Sequence, residues 1–247
     1  MRNIKLVLEY NGSPFSGFQR QPGKSTIQEV LEKALSSFFD RKMKIAAASG
    51  RTDAGVHAEY QVVNFKTSSA HQLWQIQKGL NALLPSSVVV KAIKEVPADF
   101  HARYSARSKV YEYRIWNHSC RSPLIAGCSC HVPDSLDIAA IRKASKVFIG
   151  KHDFRSFTSV SALKKGTSCV RTVKRFQIKR QGNLIVMLVE ADGFLYHMVR
   201  NMAGTLLEVG RGKRRSGDIA AILKAKDRRF AGMTAPSEGL TLIRVMY

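Results

Sequence analysis

The chain has 247 residues, 45% of them apolar, which is enough to bury a sizeable core and excludes disorder as its main state. Its 40 Lys and Arg against 18 Asp and Glu leave a formal net charge of +22, a field that attracts polyanions. Apolar stretches such as Leu184–Val189 are too short to cross a bilayer, and Lys5 and Glu9 break the run at Met1–Tyr10, so neither a membrane span nor a signal peptide is expected. Four Cys in the whole chain, three of them at positions 120, 128 and 130, are too sparse for a disulfide scaffold and point to a reducing cytoplasm.

In chain order, Arg2–Glu9 alternates Ile4, Leu6 and Leu8 with Lys5, Val7 and Glu9, the period of a strand. Ser25 and Thr26 offer capping oxygens with Gln28 and Glu29 three residues on. Ile27, Val30, Leu31, Ala34, Leu35 and Phe38 then follow at helical spacing. Strands are predicted at about Met43–Ser49 and Tyr60–Thr67, a helix at about Ala70–Leu84 stopped by Pro85, and a strand at Val88–Val96. The pattern restarts after residue 105, with a strand at Val110–Trp116, a helix near Leu136–Phe148, and strands near Val170–Lys179 and Leu184–Ala191. A helix at His197–Val209 ends at Gly210, a short basic helix lies at about Asp218–Lys226, and a strand at Leu240–Val245 follows. Both runs read βαββαβ, the second with one added helix. The expected fold is therefore α+β: two ferredoxin-like halves, residues 1–104 and 105–247, joined into one mixed, mostly antiparallel sheet with helices packed on it.

Charge is distributed unevenly between the halves. Residues 1–100 carry 13 basic and 8 acidic side chains, and residues 101–247 carry 27 and 10, so the second half holds most of the excess. No acidic residue separates Asp153 from Glu190, while Arg155, Lys164, Lys165, Arg171, Lys174, Arg175, Lys179 and Arg180 accumulate there. A second basic cluster runs from Arg211 to Arg229. Two such clusters favour nucleic acid as the partner, because neutralised phosphates release counterions. A membrane-surface helix would need bulky apolar residues opposite the charges, and Gly210–Gly217 (GRGKRRSG) has none.

Three metal or phosphate motifs fail on spacing. His57-Ala58-Glu59 matches half of the zinc deaminase signature, but the P-C-x-x-C half is absent, since Cys128 and Cys130 have one residue between them. Cys120, Cys128, Cys130, His118 and His131 contain no C-x2-C pair, and read more readily as ordinary thiols and imidazoles than as a metal site. In Gly210-Arg211-Gly212-Lys213 a Walker loop would need Gly at 207 and Ser or Thr at 214, where Leu207 and Arg214 stand.

The most informative stretch is Gly50-Arg51-Thr52-Asp53-Ala54-Gly55-Val56-His57-Ala58, a glycine-hinged charged loop between two predicted strands. It reads either as an ordinary turn in which Asp53 bonds its own backbone or as a rigid mount aiming one carboxylate into a cleft. Phe100–Arg114 interleaves basic and aromatic residues, which suits bases stacking on rings while cations hold phosphates, although Tyr111 and Tyr113 share a strand face that could be core. Arg200 falls in the first turns of a predicted helix, where the helix dipole disfavours a cation unless a carboxylate or phosphate meets it; snorkelling to solvent is the other reading.

Together, Gly50–His57, Phe100-His101-Ala102-Arg103, Tyr111-x-Tyr113 and His197-Met198-Val199-Arg200-Asn201 make the chain resemble the tRNA pseudouridine synthase A family. The resemblance extends from Leu8-Glu9-Tyr10-Asn11-Gly12 and Phe18-Gln19-Arg20-Gln21 through Ala225-Lys226-Asp227-Arg228 to Glu238-Gly239-Leu240, with Phe18 where relatives often have Trp. It implies isomerisation of uridine to pseudouridine at positions 38, 39 and 40 of the tRNA anticodon arm by a homodimer that needs no cofactor and no metal. It also implies that Asp53 is the catalytic aspartate, that Tyr111 stacks on the target uracil, that Arg200 is the basic partner of Asp53, and that Arg51 helps hold the place of the flipped nucleotide. A non-catalytic RNA-binding protein on the same scaffold is the alternative, and Asp53 discriminates the two.

Overall fold

The computed structural model describes residues 1–159, 166 and 168–247; Lys164 and Lys165 of the first basic cluster lie outside them. The described chain is α+β, with ten strands and five α-helices among the described residues, and its strand pairings are mostly antiparallel. It divides into two compact units, residues 1–107 with 241–247, and residues 108–240.

In the first unit β1 (Arg2–Tyr10) is the inner strand, antiparallel to both β3 (His57–Thr67) and β4 (Val88–Val96). Having neighbours on both edges, it is buried at Ile4, Leu6 and Leu8 and also at Val7. Helix α1 (Ile27–Phe38) starts at Thr26, whose hydroxyl accepts the Glu29 N–H, and buries Ile27, Leu31 and Leu35; α2 (Leu73–Leu83) buries Ile76 and Leu80. Each of these side chains contributes about 1.5–3 kcal/mol by leaving water.

The outer edge of β3 is shared. β2 (Ala47–Ala48) pairs antiparallel with Asn64 and Val63, whereas β10 (Leu240–Met246) pairs parallel with His57 and Ala58 through Thr241 and Leu242. The strand predicted at Met43–Ser49 therefore contracts to two residues, and the reason lies in α1. The Met43 N–H goes to Ser36 Oγ (2.9 Å) and the Ile45 N–H to Glu32 Oε1 (3.3 Å), so side chains of α1 take donors that a ladder would otherwise use. The final strand belongs to this first unit, although chain order places it after the second.

In the second unit β5 (Ser108–Asn117), β9 (Leu184–Ala191), β8 (Val170–Gln181) and β7 (Gly150–Asp153) run side by side, each antiparallel to the next. β6 (Cys130–Val132) pairs parallel with Ile115–Asn117. β6 and β7, of three and four residues, are too short to show a period and are absent from the sequence reading. Helices α3 (Ile138–Ser145), α4 (Met198–Gly210) and α5 (Asp218–Ala225) complete the unit. α4 is buried on nearly every face, with Asn201 and Thr205 among its fully buried residues.

Candidate active site

In the first unit, Asp53 sits on a turn between β2 and β3. The turn is closed by the main chain, Val56 N–H to the Asp53 carbonyl at 3.2 Å, with Gly55 at φ 77° as its third residue, where a side chain would be strained. Four hydrogen bonds brace it. The Thr52 carbonyl accepts the N–H of the buried Phe18 at 3.0 Å, and the Thr52 hydroxyl shares a 2.8 Å hydrogen bond with the Tyr10 phenol at the end of β1. At the start of the loop the Gly50 carbonyl accepts Gln61 Nε2 at 3.0 Å, and Gln61 in turn receives the Ser49 hydroxyl at 2.5 Å; both side chains are fully buried. After the turn, His57 Nδ1 accepts the Gly12 N–H at 3.1 Å. Gly12 must be bare because a Cβ there would overlap the Val56 carbonyl. Thus the segment from Tyr10 to Phe18 is the cradle of the Asp53 loop. The sequence reading gave these residues no role, though two aromatics and glycines in Tyr10-Asn11-Gly12 and Gly17-Phe18 were the available signal.

The electrostatics of the cradle follow from burial. Tyr10 is 3% exposed, and loss of water raises its pKa to about 12 against the smaller opposing pull of its Thr52 and Gln61 bonds. It stays a neutral donor and acceptor at any physiological pH. Asp53 is half-buried, and Arg51, on the same loop, is exposed.

In the second unit Tyr111 and Tyr113 share one face of β5, as the alternation implies. They have separate fates. Tyr113 is fully buried and its hydroxyl donates to the Pro236 carbonyl at 2.8 Å, with burial pushing its pKa well up; it is core. Tyr111 is 8% exposed and meets the ring of Phe194 edge-on, centroids 5.0 Å apart. Phe194 lies in the loop that leads into α4, so this aromatic pair joins Tyr111 to the element that carries Arg200. That helix begins abruptly: His197 holds a left-handed φ of 61° at the cap and stacks on Tyr196 at 3.7 Å. A non-glycine residue kept there marks an over-determined backbone. Arg200 is half-buried, and its Nε donates to the Ala235 carbonyl at 2.8 Å while Ala235 N–H donates to the Arg200 carbonyl at 3.1 Å. Of the four residues singled out by the sequence, Arg51 and Asp53 thus share a loop of the first unit, and Tyr111 and Arg200 belong to the second.

The two basic clusters behave differently. On β8 the side chains of Lys174, Arg175, Lys179 and Arg180 are exposed, and Arg175 reaches Glu190 only at 3.9 Å. In the Arg211–Arg229 cluster, by contrast, Arg211 holds Asp134 (2.8 Å), Arg214 holds Glu208, and Arg229 holds Asp227 (2.6 Å). Arg228 turns inward. Several of its charges are therefore committed to carboxylates, and the β8 cluster is the more open one. Among the described residues no group of three or more His, Cys, Asp or Glu is placed to hold a metal; Cys120 and Cys128 are exposed, and Cys130 and Cys169 buried. Among them, too, no helix is long and apolar enough to cross a membrane.

An α+β scaffold that braces one carboxylate in a turn, carries a tyrosine beside an arginine helix and exposes a basic strand has the parts of an RNA-modifying enzyme. A family model described as tRNA pseudouridine synthase matches residues 6–105 and 144–247. Curated relatives agree over the full length. "tRNA pseudouridine synthase A" of Geobacillus kaustophilus (strain HTA426) is 45% identical over 247 residues, covering all of this chain and 95% of the relative. Proteins of the same name from Acetivibrio thermocellus and Thermoanaerobacter sp. (strain X514) are 41% and 42% identical, with both chains covered completely. The chain belongs to the tRNA pseudouridine synthase family, and is an isomerase acting on tRNA.

Proposed function

We propose that this enzyme converts uridine to pseudouridine at positions 38, 39 and 40 of the tRNA anticodon arm, acting in the cytoplasm as a homodimer without cofactor or metal. The observation that supports this most is the Asp53 loop, whose Gly50–His57 sequence matches the family pattern and whose braces would hold one carboxylate for a single task. The site, the dimer and the anticodon positions rest on the family resemblance.

In this reading the target uridine is first flipped out, at a cost of a few kcal/mol offset by contacts to the RNA backbone. Arg51 helps hold the vacated place, and Tyr111 stacks on the extruded base. Breaking the bond between N1 and C1′ develops oxocarbenium character on the ribose, which the Asp53 carboxylate stabilises or traps covalently, as in retaining glycosidases. The uracil leaves carrying the bonding electron pair, rotates under the tyrosine, and re-attacks C1′ through C5. The proton on C5 is then lost and N1 is protonated, so atoms and charge balance without any added reagent. By the family resemblance, Arg200 is the basic partner of the catalytic aspartate.

The test is pseudouridine formation in an unmodified tRNA transcript, mapped by carbodiimide labelling and primer extension, with wild type and Asp53→Ala compared. Stops at uridines 38–40 with wild type alone are expected. Product elsewhere in the tRNA would refute the positional assignment, and product with Asp53→Ala would refute the nucleophile.

A further inference from the structure

The segment Ala231–Ala235 lies along one line of α4, fastened at successive turns. At the first turn the Ala235 peptide makes the two hydrogen bonds with Arg200 described above. One turn on, Gly204 is where the segment comes closest, since a Cβ there would overlap the Met233 carbonyl, and Thr205 Oγ1 accepts the Gly232 N–H at 2.9 Å. A further turn on, Glu208 Oε1 accepts the Met233 N–H at 3.0 Å. Residues 200, 204 and 208 are spaced four apart and so fall on one face.

Beside Arg200 the fastening is a polar triangle. The Thr234 hydroxyl donates to Asn201 Oδ1 at 2.7 Å, and Arg228 Nη2 reaches both Asn201 Oδ1 (3.1 Å) and Thr234 Oγ1 (3.2 Å). The Asn201 amide is itself oriented, its Nδ2 donating to the Phe157 carbonyl at 2.8 Å, and Arg228 Nη1 holds the Ala231 carbonyl at 3.1 Å. Apolar packing would hold a segment to a helix equally well. A polar network built on the fully buried Asn201 instead specifies direction, because hydrogen bonds, unlike apolar contacts, depend on angle. Here the groups being directed are the residue after Arg200 and the residue before Ala235, the two neighbours of the Arg200–Ala235 exchange. Fixing Nε against the Ala235 carbonyl fixes the plane of the planar guanidinium and hence the direction of its terminal nitrogens.

We infer that Thr234, through Asn201 and Arg228, is a positioning residue that sets the plane of the Arg200 guanidinium for the reaction. The inference rests on the reading that Arg200 serves catalysis. A misplacement of about 1 Å costs on the order of 100-fold in rate, so the expected effect is on chemistry more than on binding.

The test uses single-turnover kinetics on an unmodified tRNA transcript with Thr234→Val, which keeps the volume and removes the hydroxyl, and with Thr234→Ser. We expect Thr234→Val to slow the chemical step about 10- to 100-fold while tRNA affinity stays at its wild-type value and Tm falls by only a few degrees, and Thr234→Ser to restore Tm and to bring the rate back to within about 2-fold. In an Arg200→Ala background Thr234→Val should cost nothing more, because both changes act on one group. A wild-type rate for Thr234→Val beside a slow Arg200→Ala would overturn the positioning role alone, as would losses that multiply in the double variant. A wild-type rate for Arg200→Ala would remove the catalytic role of Arg200, and the positioning role with it. A loss in Tm that Thr234→Ser does not repair would make the triangle merely structural.

Discussion

The brace between Tyr10 and Thr52 yields a prediction whose sign changes with pH. Tyr10→Phe deletes the phenol that shares a 2.8 Å bond with the Thr52 hydroxyl, and Thr52 is itself only 7% exposed, so an unsatisfied buried hydroxyl is left beside Asp53. Near pH 8 this destabilises the protein by about 1–2 kcal/mol. In alkali the wild type loses its advantage. The buried phenol holds its proton from its ordinary value of 10.0 up to about 12, whereas the unfolded chain releases it near 10. Between those limits the folded state binds more protons, so stability is fully present below pH 10 and falls as pH rises toward 12. At about 1.4 kcal/mol per pH unit the fall approaches roughly 2.7 kcal/mol, and the Tyr10→Phe variant, having no phenol to titrate, is exempt from it. The stability curves of the two proteins, from guanidinium unfolding followed by circular dichroism in steps from pH 8 to 12, should therefore converge and cross near pH ~11. Parallel curves across that range would refute the burial argument, and a variant as stable as wild type at pH 8 would refute the brace.

Three further outcomes are expected. Tyr111→Ala should reduce turnover on tRNA by a far larger factor than it reduces tRNA affinity, measured by single-turnover rates and filter binding; equal losses would count against stacking on the target base. Replacing Lys174, Arg175, Lys179 and Arg180 on β8 together by Ala should lower the slope of log affinity against log salt by up to about 0.9 for each phosphate no longer neutralised, and an unchanged slope would place the RNA elsewhere. Gly204→Ala should destabilise by about 1–3 kcal/mol because the new methyl meets backbone, while Gly127→Ala, with open space around its Cα, should leave the unfolding midpoint unchanged.

Long periodic elements were legible in the sequence because burial of one face writes itself into the residue order. β1, α1, β4, β9 and α4 lie where alternation or helical spacing put them, to within a few residues. What was not legible depended on partners distant in sequence. The predicted strand shrank to β2 because Ser36 and Glu32 of α1 capture the N–H groups of Met43 and Ile45, a choice no local pattern records. β10 follows the second unit in the chain yet completes the first, since pairing is decided by the free edge of β3. The site was legible at the level of residue type: the Gly50–His57 loop stood out by its glycines and charge. Its support did not, because the bonds from Tyr10, Gly12 and Phe18 cross some forty residues. Likewise the Arg211–Arg229 cluster reads as bare charge in sequence, and only the fold supplies Asp134 and Glu208 to answer Arg211 and Arg214.

The late return of β10 has a consequence for how the enzyme is made. Ribosomes release a chain from its N-terminus at roughly 5–20 residues per second, and domains ordinarily fold as they emerge. The first unit has to wait. The edge of β3 at His57 and Ala58, directly after the Asp53 turn, is paired only once Thr241 and Leu242 have been synthesised, and Tyr247 must still reach back to donate its hydroxyl to the Ala102 carbonyl at 2.8 Å. A nascent chain stalled or truncated before residue 241 would carry every residue of the Asp53 loop and yet lack the strand at its base. Pairing of the β3 edge that follows the Asp53 turn therefore waits on two residues that are synthesised after the whole of the second unit.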